Sequence, residues 1–228
     1  MTFSPAKIFL SEQRSFIGNN RYTAHCIFDE QKEPFGDLYL FNEEVLNASA
    51  EAEMMTAFPS YVILIPVTGE LLYKDHTGGV SDLDAGQVLI SRKAAGESFK
   101  VMNMYEEGAI HFLHLQIKDM SLPGAPFTSI NSFGLDNFRN NLFDITQSVA
   151  DNMPFRICIG QFGGREKAVF KAADLRSLLF AFVISGAFEV EDRLLQPRDG
   201  LALWEISQAE LEALSNNATL LILEVENL

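Results

Sequence analysis

Tyr61-Val62-Ile63-Leu64-Ile65-Pro66-Val67-Thr68-Gly69-Glu70-Leu71-Leu72-Tyr73-Lys74-Asp75 holds two short apolar runs on either side of a glycine. Runs rich in β-branched and aromatic residues, joined at Gly, read as two strands and a tight turn. The pattern returns at Leu178–Asp192, Leu-Leu-Phe-Ala-Phe-Val-Ile-Ser-Gly-Ala-Phe-Glu-Val-Glu-Asp. Without a gap, Gly69 falls on Gly186 and Asp75 on Asp192. Asp84-Ala85-Gly86 then precedes Gln87–Ile90, as Arg198-Asp199-Gly200 precedes Leu201–Trp204. Each half closes on one more apolar run, Ile110–Ile117 and Thr219–Val225. Matched landmarks in the same order predict one β unit written twice.

Short strands with turn signals at regular spacing extend this reading along the chain, and a sandwich or barrel is expected in each half. Gln208–Leu214 is rich in helix formers but occupies a strand position in the repeat, and the repeat decides it. Asn47–Glu53 reads as a small polar segment. Met120–Phe127, with Pro123, Gly124 and Pro126, reads as the connection, which places the domains at 1–120 and 121–228.

The 228 residues include 31 Asp and Glu against 17 Lys and Arg, a formal charge of −14. That balance, with basic residues scattered singly, opposes a nucleic-acid backbone, so no direct nucleic-acid binding is expected. No apolar run approaches membrane-spanning length and no signal peptide is evident. Cys26 and Cys158 lie in strand-like runs without metal-binding spacing. They read as buried free thiols, which fits a reducing compartment and a cytoplasmic location.

Phe35-Gly36-Asp37-Leu38-Tyr39-Leu40-Phe41-Asn42-Glu43-Glu44-Val45 resembles the F-G-x-L-R-V-x-N-x-D-x-V stretch of the pirin family. Asp199-Gly200-Leu201-Ala202-Leu203-Trp204 resembles that family's DGLAIW, and Leu115-Gln116-Ile117 its LQLWV strand, with Lys118 at the aromatic position. The resemblance implies an all-β fold of two tandem cupin (jelly-roll-type) β-barrels, a bicupin. It implies an iron in the N-terminal barrel, held by a His-x-His pair, a later His and a Glu two residues on. Some members cleave flavonols such as quercetin with dioxygen, and nuclear pirin is a transcription cofactor. Trp204 is expected to be buried, like the family's matching Trp.

Counted from Asn42 and back from Gly69, the first two ligand positions fall on Met55 and Ala57. Counted from Ala85-Gly86, the others fall on Phe99 and Val101. These side chains cannot replace imidazole and carboxylate, so no metal, no cofactor and no catalytic residue are expected, and the four positions read as an apolar ligand pocket. His111 and His114 point to opposite faces of an extended strand and cannot chelate one metal together without a bulge. His114 and Gln116 share a face; facing inward they would orient a ligand, facing outward they would be solvated. Glu43 and Glu44 read as surface charges. The function expected is a non-catalytic protein that binds a small apolar or aromatic molecule or a protein partner. The alternative is a metal-dependent quercetin 2,3-dioxygenase-like oxidoreductase.

Overall fold

The computed structural model describes residues 4–119, 126–134, 138–147, 149 and 153–226. Strands dominate, with a short 3-10 turn at Ser11–Gln13. Two compact units emerge, Ser15–Phe133 and a second made of Met1–Arg14 with Gly134–Leu228.

The strands in chain order are β1 (Ala6–Phe9), β2 (Ser15–Gly18), β3 (Tyr22–Cys26), β4 (Leu38–Leu46), β5 (Glu51–Met55), β6 (Ser60–Thr68), β7 (Leu71–Asp75), β8 (Val80–Leu83), β9 (Gln87–Lys93), β10 (Ser98–Met102), β11 (Ile110–Lys118) and β12 (Phe127–Ser132). They continue with β13 (Phe143–Asp144), β14 (Phe155–Phe162), β15 (Lys167–Lys171), β16 (Leu178–Ser185), β17 (Phe188–Val190), β18 (Arg193–Leu195), β19 (Gly200–Leu203), β20 (Gln208–Ala213) and β21 (Ala218–Val225).

The unit Ser15–Phe133 has a seven-stranded sheet, β12-β9-β6-β11-β4-β3-β2, and a four-stranded sheet, β5-β10-β7-β8. One buried cluster draws Leu46, Val62, Leu64, Leu89, Ile110 and Phe112 from the first and Met54, Leu71, Tyr73, Phe99 and Val101 from the second. The sheets therefore pack face to face, each giving alternate residues to the core. The other unit repeats the order, with β1-β19-β16-β21-β14-β13 beside β15-β20-β17-β18. The repeat seen in the sequence is thus a repeat of topology. Gln208–Ala213 is strand β20, paired with β15 and β17, so ladder position overrides its helix propensity.

The unit boundaries differ from 120/121. The strand that flanks β9 is β12, from beyond the expected boundary, and the strand that flanks β19 is β1, from the N-terminus. Apolar periodicity predicts strands but not which edge a distant segment completes. The connection read at Met120–Phe127 lies mostly outside the described residues. Trp204 follows β19 and is half-buried, not buried as expected; its backbone N–H donates to the Pro5 carbonyl. No described helix is long and apolar enough to cross a membrane.

Candidate functional site in the unit Ser15–Phe133

Strand β5 sets the lining of the interior. It pairs with β10 so that Met54 lies opposite Phe99 and Ala52 opposite Val101. Phe99 and Val101 are buried in the core cluster, as is Met54, and Ala52 packs against it. Met55 is 63 % exposed and Ala57 is exposed as well. The pocket positions assigned to Met55 and Ala57 are therefore corrected to the neighbouring face. A shift of one residue carries every side chain of a strand to its other side. The polar segment Asn47–Glu53 hid that strand, because its outward residues Glu51, Glu53 and Met55 mask the inward Ala52 and Met54.

The interior positions on these two strands carry Ala, Met, Phe and Val. One thioether is the sole donor among them, and it suits soft copper(I), not iron. These residues do not fit the iron that the cupin resemblance implies. Among the described residues, no three His, Cys, Asp or Glu side chains gather as a metal-binding group.

The opposite wall is polar and wired together. His114 and Gln116 on β11 are 2 % and 1 % exposed. In register they face Asn42 and Leu40 on β4 and Leu64 and Val62 on β6, which places them on the interior side. The structure therefore selects the inward orientation of that face. His114 Nδ1 lies 2.8 Å from Glu44 Oε1, and Asn42 Nδ2 donates to the same oxygen at 3.3 Å. His114 Nε2 lies 2.9 Å from the Gln116 amide nitrogen. The Gln116 amide oxygen accepts from the Tyr39 hydroxyl, which lies 2.8 Å from Ser60 Oγ. Ser60 Oγ in turn donates to the Phe58 carbonyl at 2.7 Å. The Phe99 ring meets His114 edge-on, with centroids 5.7 Å apart. The imidazole thus touches the apolar lining while both its nitrogens are held.

Sequence reading placed Glu43 and Glu44 at the surface, yet both are buried, Glu44 at 1 % exposure. A clue was available, because Glu44 lies two residues from Asn42 and shares its face, as Gln116 does with His114. Among the described residues, none lies within strict hydrogen-bond geometry of Glu44 Oε2. Near this carboxylate the Tyr22 phenol has its pKa pushed well up, first by burial and then by the Glu44 charge.

A second buried charge sits at the β9 end. The Lys93 ammonium lies over the Tyr73 and Phe99 rings and donates to Glu97 Oε1 at 2.7 Å. His76 Nδ1 approaches the same oxygen at 2.8 Å. Burial works against ionisation of Glu97, but the hydrogen bonds from Lys93 and the Ala94 N–H, with the Lys93 and His76 charges, hold its pKa below the ordinary value. Lys93 is held above its own, the Glu97 and Tyr73 interactions outweighing burial. His76, read as solvated, is half-exposed and tied to Glu97. In the other unit Cys158 is a free thiol whose pKa burial pushes up to about 12, which leaves it unreactive at neutral pH.

Residues 145–225 match the family model of the quercetinase C-terminal cupin domain. The fold is similar to that of YhhW from Escherichia coli, at 13 % identity and a TM-score of 0.85, covering 98 % of this chain and 99 % of that one. A structure of that bacterial pirin in complex with nickel(II) matches at 13 % identity and a TM-score of 0.84, over 98 % and 100 % of the two chains. Quercetin 2,3-dioxygenase from Acinetobacter baumannii matches at 17 % identity and a TM-score of 0.75, over 98 % of this chain and 86 % of that one. No curated protein sequence matches the chain. These likenesses support a pirin-like cupin fold.

Proposed function

From a pirin-like cupin fold whose C-terminal part matches the quercetinase cupin domain, we propose that this protein is a non-catalytic binding or regulatory protein. The observation that carries this reading is the interior ladder Ala52–Val101 and Met54–Phe99, where side chains without imidazole or carboxylate donors line the core. A molecule that suits such walls is small and apolar or aromatic, with burial contributing roughly 25 cal/mol per Å² of apolar surface. His114, held by Glu44 and Gln116, adds an aromatic ring next to Phe99. A protein partner is the other occupant of a regulatory role, and a cytoplasmic location suits two free thiols.

The second reading is a metal-dependent quercetin 2,3-dioxygenase-like oxidoreductase, favoured by the match of residues 145–225. One experiment separates the two. The purified protein is incubated with iron(II), nickel(II) or manganese(II) and dialysed, and bound metal and quercetin absorbance are followed together. The expected result is no stoichiometric metal and no consumption of quercetin. Stoichiometric metal with turnover would restore the oxidoreductase.

A further inference from the structure

Within the unit Ser15–Phe133 a single line of hydrogen bonds runs from Glu44 through His114, Gln116, Tyr39 and Ser60 to the Phe58 carbonyl. With its amide nitrogen toward His114, Gln116 donates to Nε2. The imidazole is then neutral and carries its hydrogen on Nδ1, toward Glu44. The Gln116 oxygen must take the Tyr39 hydrogen. Three contacts lie beyond the imidazole, namely Gln116–Tyr39, Tyr39–Ser60 and Ser60–Phe58, and only two hydroxyl hydrogens remain to fill them. Either the Tyr39–Ser60 pair at 2.8 Å or the Ser60–Phe58 pair at 2.7 Å is left as two oxygens without a hydrogen between them. A half-turn of the amide moves no other heavy atom and supplies the third hydrogen. Gln116 then donates to Tyr39, Tyr39 to Ser60 and Ser60 to Phe58. The amide oxygen now faces His114 Nε2, which must carry a hydrogen as well.

We propose that Gln116 turns its oxygen to His114, and that the His114–Glu44 pair is a buried proton-binding site, an imidazolium held by a carboxylate, whose proton is reported at the Phe58 carbonyl. Two donors, His114 Nδ1 and Asn42 Nδ2, converge on Glu44 Oε1, which favours the carboxylate form of Glu44. The surroundings set the charge balance. The phenol of Tyr22 on β3 faces Glu44. Leu64 of β6 lies opposite His114, and the ring of Phe99 on β10 covers it. Behind that ring, Lys93 of β9 is already matched by Glu97, with His76 beside it. Loss of the Nε2 proton to water leaves a lone pair that needs a donor. Gln116 turns its NH2 to it, Tyr39 gives its hydrogen to the amide oxygen, and Ser60 holds one hydrogen for both Tyr39 and Phe58. Phe58 is exposed, with its ring against Tyr39 and beneath the Lys118 ammonium. A buried protonation event is thereby transmitted to a surface turn. The inference does not depend on whether the interior takes a ligand.

Nuclear magnetic resonance of the intact, ¹⁵N- and ¹³C-labelled protein tests it without any substitution. The expected result is His114 protonated on both nitrogens at neutral pH. The Phe58 carbonyl ¹³C shift should move with the same midpoint when His114 loses its proton. Gln116→Glu keeps an acceptor facing His114 and removes the donor to Tyr39. In that variant the His114 midpoint should rise and the Phe58 carbonyl should stop following it. A His114 with a bare Nε2 at neutral pH, or a wild-type Phe58 carbonyl indifferent to the His114 titration, overturns the proposal. The wild-type measurements decide the matter even if the variant does not fold.

Discussion

At the residue scale, the decisive pair joins the buried Lys93 ammonium to the Glu97 carboxylate. Lys93 is almost fully buried, and Glu97 both accepts from its ammonium and draws the Ala94 N–H. Glu97→Gln is expected to destabilise the protein at neutral pH by roughly 2 kcal/mol, the scale of a hydrogen bond to a charged group. The pH dependence has a definite sign. The folded-state pKa of Glu97 is lowered, so its contribution is complete above the ordinary carboxylate range and fades as pH falls through the lowered value. Denaturant unfolding across that range should show the wild type and Glu97→Gln converging in acid; a gap of constant size would contradict this origin. Residue placement also makes the corrected ladder testable. Ala52→His, Met54→His, Phe99→His and Val101→Glu together put three imidazoles and a carboxylate on facing positions of β5 and β10. Calorimetric titration should show nickel(II) binding there. The set with Met55→His and Ala57→His in place of the first two should bind far more weakly, because those positions face outward.

At the scale of the element, the turn glycines are where sequence and geometry meet. Gly186 has φ +73°, and a Cβ there would lie 2.5 Å from Ser215 Oγ and 2.8 Å from the Ala218 Cα. Gly69, its counterpart in the repeat, has φ +81° and would meet Ile110 Cγ2 at 2.5 Å. Gly78 has φ +94° but open space around it. Gly78→Ala should therefore cost only the left-handed backbone term, about 1–2 kcal/mol. Gly186→Ala and Gly69→Ala add a steric term and should lower the thermal midpoint further, with Gly186→Ala the more damaging because backbone also stands in the way. Equal midpoints for the three variants would show that the close approaches are relieved freely. The strands themselves were legible because their inward residues alternate or run continuously apolar. β5 is one that was missed: with Glu51 and Glu53 on its outer face it read as part of a small polar segment, although Ala52 and Met54 alternate inward.

At the scale of the whole molecule, the N-terminal segment belongs with the C-terminal strands. β1 pairs along β19 from Ala6–Leu203 to Phe9–Gly200, the Ser11 N–H donates to Asp199 Oδ1, and Arg193 donates to the Ser4 carbonyl. Removal of residues 1–14 should uncover the β19 edge, lower the melting temperature and promote aggregation, as bare apolar edges do. Calorimetry and light scattering of the truncated chain measure both. Unchanged melting would mean that β1 is dispensable.

The sequence by itself determined that the chain is all-β and that one unit is written twice. Those properties are periodic, and a linear string carries them. Only the tertiary structure decided that Met54 and not Met55 faces the core, because a face depends on ladder register, which one residue reverses. It also decided that Glu44 is buried against His114 and that β1 and β12 complete sheets far from them in the chain. A carboxylate reads as surface until the partner that offsets its desolvation is known. Here that partner is 70 residues away in sequence, on a strand brought alongside by pairing.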